Sequence, residues 1–154
     1  MRDQRFVAEH RGGPLSKHSH QLMALWAAEC AEHVLSALWK ADNDQRPFDA
    51  LRQARAWARG EISVGDARHS AVAAHAAARE SKDAAATAAA RAAGHAAATA
   101  HMADHCLGAA AYALEAAEEG GFNTELERQW QEQQLPISIR ELVSSARARR
   151  RAYA

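Results

Sequence analysis

The sequence contains no stretch in which apolar and polar residues alternate over four to eight positions rich in valine, isoleucine, threonine or aromatics. A half-buried strand needs that alternation, because successive side chains point to opposite faces of a sheet. Sheet architectures are therefore excluded. There is no run of about 18 large apolar residues, so no membrane span is expected. The N-terminal residues lack the apolar stretch of a secretory signal. The two cysteines, Cys30 and Cys106, form no CxxC pair. Isolated thiols in a chain without such a signal point to reduced cysteines and a cytoplasmic location.

Charge of one sign is also missing. Nineteen lysines and arginines balance nineteen aspartates and glutamates, so no global field draws the chain to nucleic acid or to a membrane surface. Lysine is scarce (Lys17, Lys40 and Lys82); with so much alanine, this fits coding bias better than a need for guanidinium groups. Catalytic signatures are wanting too. Ser63, Ser70, Ser81, Ser144 and Ser145 lack the glycine pattern of a nucleophile elbow, and no glycine-rich phosphate loop is present. Glu118–Glu119 precedes a Gly-Gly pair and reads as a solvated helix end.

What the chain has in abundance is alanine, which fills 18 of the 30 positions from 71 to 100. Alanine favours helix but brings little apolar area, so larger residues must come from elsewhere. They recur at helical spacing between Leu15 and Lys40: Leu22, Met23, Leu25, Trp26, Val34, Leu35, Leu38 and Trp39. Ser16 is placed to cap that helix. ADNDQRP is a turn, Pro47 suits a first helical turn, and a short helix runs to Gly60. Ser63 or Asp66 caps a third helix to about Glu80, and Ser81 and Asp83 open a fourth. Residues 84–118 read as two helices, because Gly94 and Gly108 each cost about 1 kcal/mol against alanine and Asp104 can cap a fresh start after a break near 100–103. Gly120 and Gly121 stop the run, Thr124 starts a helix to Gln134, and Ser138 caps a last one after Pro136. The expectation is all-α: residues 1–154 form a single helical domain of about six to seven helices, as a bundle or a short stack of antiparallel pairs. Residues 1–14 are a lead-in, and 147–154 are a basic, frayed tail.

The stretch RAAGHAAATAHMADHC, residues 91–106, sets three histidines and an aspartate in alanine. On one unbroken helix Arg91, His95, Met102, His105 and Tyr112 would share a face. His101 and His105 stand four apart, the spacing at which two imidazoles chelate one ion. There is no second HxxxH, no HExxH and no Glu-x-x-His, so further ligands would have to come from His33, His69, His75, Glu29 or Glu32. Packing is the preferred reading and no metal or cofactor is expected; a metal- or ligand-binding helical protein using His95, His101, Asp104 and His105 is the alternative. A second alternative, a small nucleic-acid or structural adaptor, would rest on Arg147, Arg149, Arg150 and Arg151. No basic surface elsewhere supports it. Trp26, Trp39 and Trp57 are assigned to the core and Trp130 to a half-exposed position.

Several ordered stretches resemble a known family. AEHRGGPLS, DNDQRPFDALRQARAWARGEISVGDAR, AAHAAARE, AARAAGHAAATAHMADH, GAAAYALEA and ERQWQEQQLP are similar to bacterial immunity proteins with an Imm-five-like domain. That family is associated with polymorphic-toxin systems. The resemblance implies an all-α, non-enzymatic, cytoplasmic module that binds and neutralises a co-produced toxin by occlusion; it supplies no catalytic motif. A homo-oligomer stays open. Asp44, Arg46, Arg55, Arg59 and Trp130 are the candidate partner-binding residues. For Asp44 the structural alternative is a cap or an arginine pair, and Trp57 packs inward.

Overall fold

The computed structural model describes residues 2–41 and 43–152. Asp42, inside the expected ADNDQRP turn, and the last two residues of the expected tail lie outside that range. Seven α-helices follow one another: α1 (Lys17–Leu38), α2 (Arg46–Ala58), α3 (Val64–Glu80), α4 (Ala84–Ala98), α5 (His105–Glu119), α6 (Thr124–Gln134) and α7 (Ile137–Ala152). Among the described residues there is no strand, only an isolated bridge between Ala8 and Leu15. The all-α class and the division of 84–118 into two helices are as the sequence predicts.

Local chemistry sets the helix starts. Ser16 accepts a hydrogen bond from the Ser19 amide at α1, and Asp83 from Ala86 at α4. Ser63 and Asp66 act together, forming a reciprocal capping box at α3. Asn123 caps α6 by accepting from the Leu126 amide. Two expectations fail. Asp104 stands at the cap position of α5, but its side chain makes no capping bond. Ser138 lies inside α7, which already begins at Ile137.

The core is organised around α4, which packs against α1, α2, α3 and α5. Eleven of its fifteen residues are buried, ten of them alanines and the other Gly94. A methyl-only surface lets several backbones approach one helix at once, which bulkier residues would prevent. Large side chains then fill the outer spaces: Trp26, Met23 and Leu35 from α1, Leu51 from α2, Phe6 from the N-terminal segment, and Ile139 and Val143 from α7. Fully burying each of these contributes about 1.5–3 kcal/mol, so a minority of positions supplies most of the hydrophobic stabilisation.

The described residues near both termini carry more structure than their sequences imply. Within the N-terminal lead-in, Gln4–Phe6 and Glu9–Arg11 form 3-10 turns and Phe6 is fully buried. The expected frayed tail is corrected over 147–152, where α7 continues. Arg147 is only 6% exposed. Its guanidinium donates to Gln131 Oε1 at 2.5 Å and Glu132 Oε1 at 2.9 Å, and lies over the Trp26 ring, 5.5 Å from its centroid. Gln131 in turn donates to the Ala110 carbonyl, and its own carbonyl accepts from Trp26 Nε1. One cation and one amide thus latch α7 and α6 onto α5 and α1.

Candidate functional site

The histidines of the alanine-rich region do meet, although not as one face of one helix. The chain turns between Ala98 and His105, and α4 and α5 lie side by side. His95 on α4 therefore faces His105 and Tyr112 on α5. His95 Nδ1 and His105 Nδ1 are 3.2 Å apart, and the His95 and Tyr112 rings stack at 5.1 Å. His75 from α3 meets His95 edge-on at 5.2 Å, and His101, in the turn, lies 5.1 Å from His105. Four imidazoles run in a row across α3, α4 and α5, and Arg91 stands over the Tyr112 ring at 6.0 Å.

Two glycines make room for this row. A Cβ at Gly94 would come within 2.7 Å of His75, and one at Gly108 within 2.7 Å of His95. The residues that weaken α4 and α5 by propensity are notches into which imidazoles fit. This explains why glycine stands where alanine is otherwise the rule.

Desolvation sets the chemistry of the seam. Burial lowers the pKa of His75, His101 and His105, and that of His95 falls to about 4, with the charges of His105 and His75 adding to the effect. The lowered pKa values favour the neutral imidazoles, and His95 and His105 bond through their Nδ1 atoms. The 3.2 Å contact needs one Nδ1 to donate and the other to accept. His101 Nδ1 is buried without a hydrogen-bond partner. The alternative ligand set is only partly assembled, because Asp104 faces Arg2 at 3.9 Å. His101 also lies in the turn, so its helical spacing to His105 does not apply. Among the described residues no group of three or more His, Cys, Asp or Glu side chains is placed to hold a metal ion. Both thiols are buried; burial raises Cys30 and pushes Cys106 up to about 12, far from a reactive thiolate.

The partner-binding candidates are each engaged by neighbouring side chains. Asp44 and Arg46 pair at 2.7 Å, and Arg46 also reaches Glu80 at the end of α3. The Arg46 guanidinium holds the Asp44 carboxyl below its ordinary range, while the Asp44 carbonyl accepts from Trp39 Nε1. These contacts tie the α1–α2 corner to α3. Arg55 bonds Glu32 on α1 through both terminal nitrogens at 3.1 Å, and Arg59 pairs with Glu61 at 2.5 Å. Trp130 is half-buried, and His33 stacks on its ring at 3.6 Å while bonding Glu127 at 2.7 Å. Trp26, Trp39 and Trp57 are buried as expected.

An exposed apolar surface appears instead at α6. Gln131 is the one buried residue of that helix, while Leu126 is 61% exposed and Phe122, just before the helix, 54% exposed. Sequence reading missed both, because periodicity marks which residues share a face and not which face docks. The latch through Gln131 reverses the usual order, turning an amide inward and a leucine outward. Sparse apolar content in TELERQWQEQQ is the available signal, since a helix with so little to bury is held by its polar contacts.

At the opposite end of α5 an open groove of about 770 Å³ is lined by Arg2, Arg5, Arg149 and Arg150 together with Asp3 and Asp104. Asp3 binds Arg5 at 2.7 Å and Arg149 at 3.5 Å, so part of this positive charge is already neutralised. No described helix is long and apolar enough to cross a membrane.

No curated protein and no solved structure matches the chain. A family model does, over residues 13–138, which takes in α1 to α6, the histidine seam and the exposed stretch at Phe122 and Leu126. The chain therefore belongs to the Imm-5 like putative immunity protein family.

Proposed function

We propose that the protein is a non-enzymatic, cytoplasmic immunity protein that neutralises a cognate toxin of a polymorphic-toxin system by covering the surface the toxin works with. Family membership supports the class of function. The observation that carries the mode of action is the exposure of two large apolar side chains at one corner, Phe122 just before α6 and Leu126 on it. Large exposed apolar side chains on a latched helix serve an interface better than they serve the fold.

Neutralisation demands tight binding, and a nanomolar complex corresponds to about −12 kcal/mol. A standard interface takes about 800 Å² from each partner, roughly a tenth of this protein's 7857 Å² surface. A few buried aromatic or aliphatic anchors carry most of that energy. Phe122, Leu126 and Trp130 fill this role. Asp44, Arg46, Arg55 and Arg59 are committed to internal pairs and contribute at most at a rim. The bundle is preorganised, so docking costs little conformational entropy.

Co-expression with the toxin domains encoded beside the gene tests the proposal. One of them should be tolerated by the host only when this protein is present, and should co-purify with it. No rescue by any neighbouring toxin, or turnover of a small substrate by the isolated protein, overturns it.

A further inference from the structure

Charge is segregated along this electrically neutral chain. Between Arg91 and Arg128 there is no lysine or arginine. The same interval carries Glu115, Glu118, Glu119, Glu125 and Glu127, all at the end of α5 or on α6. Around the two exposed apolar residues, Glu125 pairs with Arg128 at 3.4 Å and Glu127 with His33 at 2.7 Å, and no ion pair joins Glu118 or Glu119 to a base among the described residues. Glu118 and Glu119 are exposed. On the α4 side, Lys82 and Arg91 share a groove with Glu115 and Glu119 and mark where the acidic surface ends. The arginine-lined groove lies near the other end of α5, about 20 Å away along a fifteen-residue helix.

Fold stability does not account for this arrangement. The last turn of α5 contains no base, although a helix C-terminus favours cations and repels carboxylates. Glu118 and Glu119 therefore work against the helix they end. Leu126 and Phe122 likewise gain nothing from exposure. Two locally unfavourable features, an apolar pair and a carboxylate cluster set against the dipole, occupy the same corner. Such a coincidence is expected of a binding surface, where the partner supplies what the fold withholds.

We infer that the α5–α6 corner is the docking face, and that its occupant is a toxin surface lined with lysine and arginine around an apolar socket. This rests on the toxin-binding reading and adds the face and the partner's chemistry. Phe122 and Leu126 enter the socket and are desolvated. Glu118, Glu119 and Glu125 meet the basic rim, speeding encounter and rejecting acidic surfaces. The arginine groove takes no part.

The test uses the purified full-length protein and a catalytically inactivated form of whichever neighbouring toxin domain it rescues. Because these side chains are exposed, L126E, F122S and the double variant E118K/E119K should fold, with unchanged helical circular dichroism. L126E and F122S should each weaken the Kd by about 30-fold or more, as hot-spot residues do. E118K/E119K should slow association about tenfold at low salt, and the difference from the wild-type protein should shrink as salt rises. V72D, on an exposed α3 position, should bind as the wild-type protein does. Wild-type affinity in L126E and F122S overturns the face while leaving the toxin-binding function intact. Apolar variants that weaken binding, with charge reversal that leaves association unchanged, overturn the basic partner. Sedimentation of the protein alone as a dimer that L126E dissociates makes a second copy the occupant and also overturns the inference. Absence of any rescued toxin overturns function and face together.

Discussion

Replacing Gly108 with alanine sets helix propensity against the seam. In an ordinary helix interior the change stabilises by about 1 kcal/mol. Here the new Cβ would lie 2.7 Å from His95 Nδ1 and 3.1 Å from Cε1. The ring cannot simply swing aside: it is stacked on Tyr112, bonded to His105 and met by His75. Overpacking of that kind costs about 1–3 kcal/mol, so G108A should be destabilising by about 1 kcal/mol net. That amounts to roughly 2–4 °C in Tm for a chain of this size. The decisive measurement is urea unfolding of G108A in two backgrounds. With His95 present the substitution should destabilise; in H95A, where the obstacle is gone, the same change should stabilise by about 1 kcal/mol. The sign reversal is a coupling energy between two residues in contact. If G108A stabilises the wild-type protein, or acts alike in both backgrounds, the glycine is not a notch for His95 and the packing account of the seam fails.

Stability should fall on acidification. His20, His75, His95, His101 and His105 all have folded pKa values below their ordinary value of 6.5, mainly because burial disfavours the cation. The unfolded chain therefore binds more protons below pH 6.5, so the stabilisation is complete above 6.5 and is lost as pH falls towards about 4, the folded value of His95. Urea midpoints measured across that range should drop, and H95A should flatten the drop; a flat wild-type profile refutes the assignment. At the latch, R147A should cost about 2–3 kcal/mol, because it leaves the buried Gln131 Oε1 unpaired and removes the guanidinium packed over the Trp26 ring, whereas R151A should change stability by less than about 0.5 kcal/mol. A small loss in R147A would show that the latch does not hold α7. Elemental analysis of the purified protein should give well under one equivalent of zinc, iron or manganese. Near one equivalent, lost in H101A and H105A, would restore the metal reading.

The legible part of this protein was the part written in local chemistry. The helix starts at Ser16, Ser63 and Asp83 follow from side chains that bond amides three residues on, and such contacts need nothing beyond the neighbouring chain. The break between α4 and α5 was visible for a similar reason, although its position owes more to tertiary contacts: His20 of α1 bonds the Thr99 carbonyl at 2.5 Å, while Asp104 leaves the cap unmade. The candidate site was less legible. Asp44 with Arg46 and Arg59 with Glu61 each stand two residues apart and pair predictably, but Arg55 finds Glu32 on α1, and no spacing rule brings that acid to it.

The sequence by itself determined that the chain is helical, where most helices begin, and that its alanine-rich centre must borrow bulk from α1. Each of these is a matter of backbone propensity, short-range hydrogen bonding or residue volume, all properties of consecutive residues. Only the tertiary structure decided that Gly94 and Gly108 are notches for His75 and His95, that Arg147 is buried instead of frayed, and that Leu126 faces outward while Gln131 faces inward. Those outcomes depend on which faces of different helices meet. A helix with few apolar residues can rotate to either side until a contact from elsewhere, here the one between Gln131 and Arg147, fixes it.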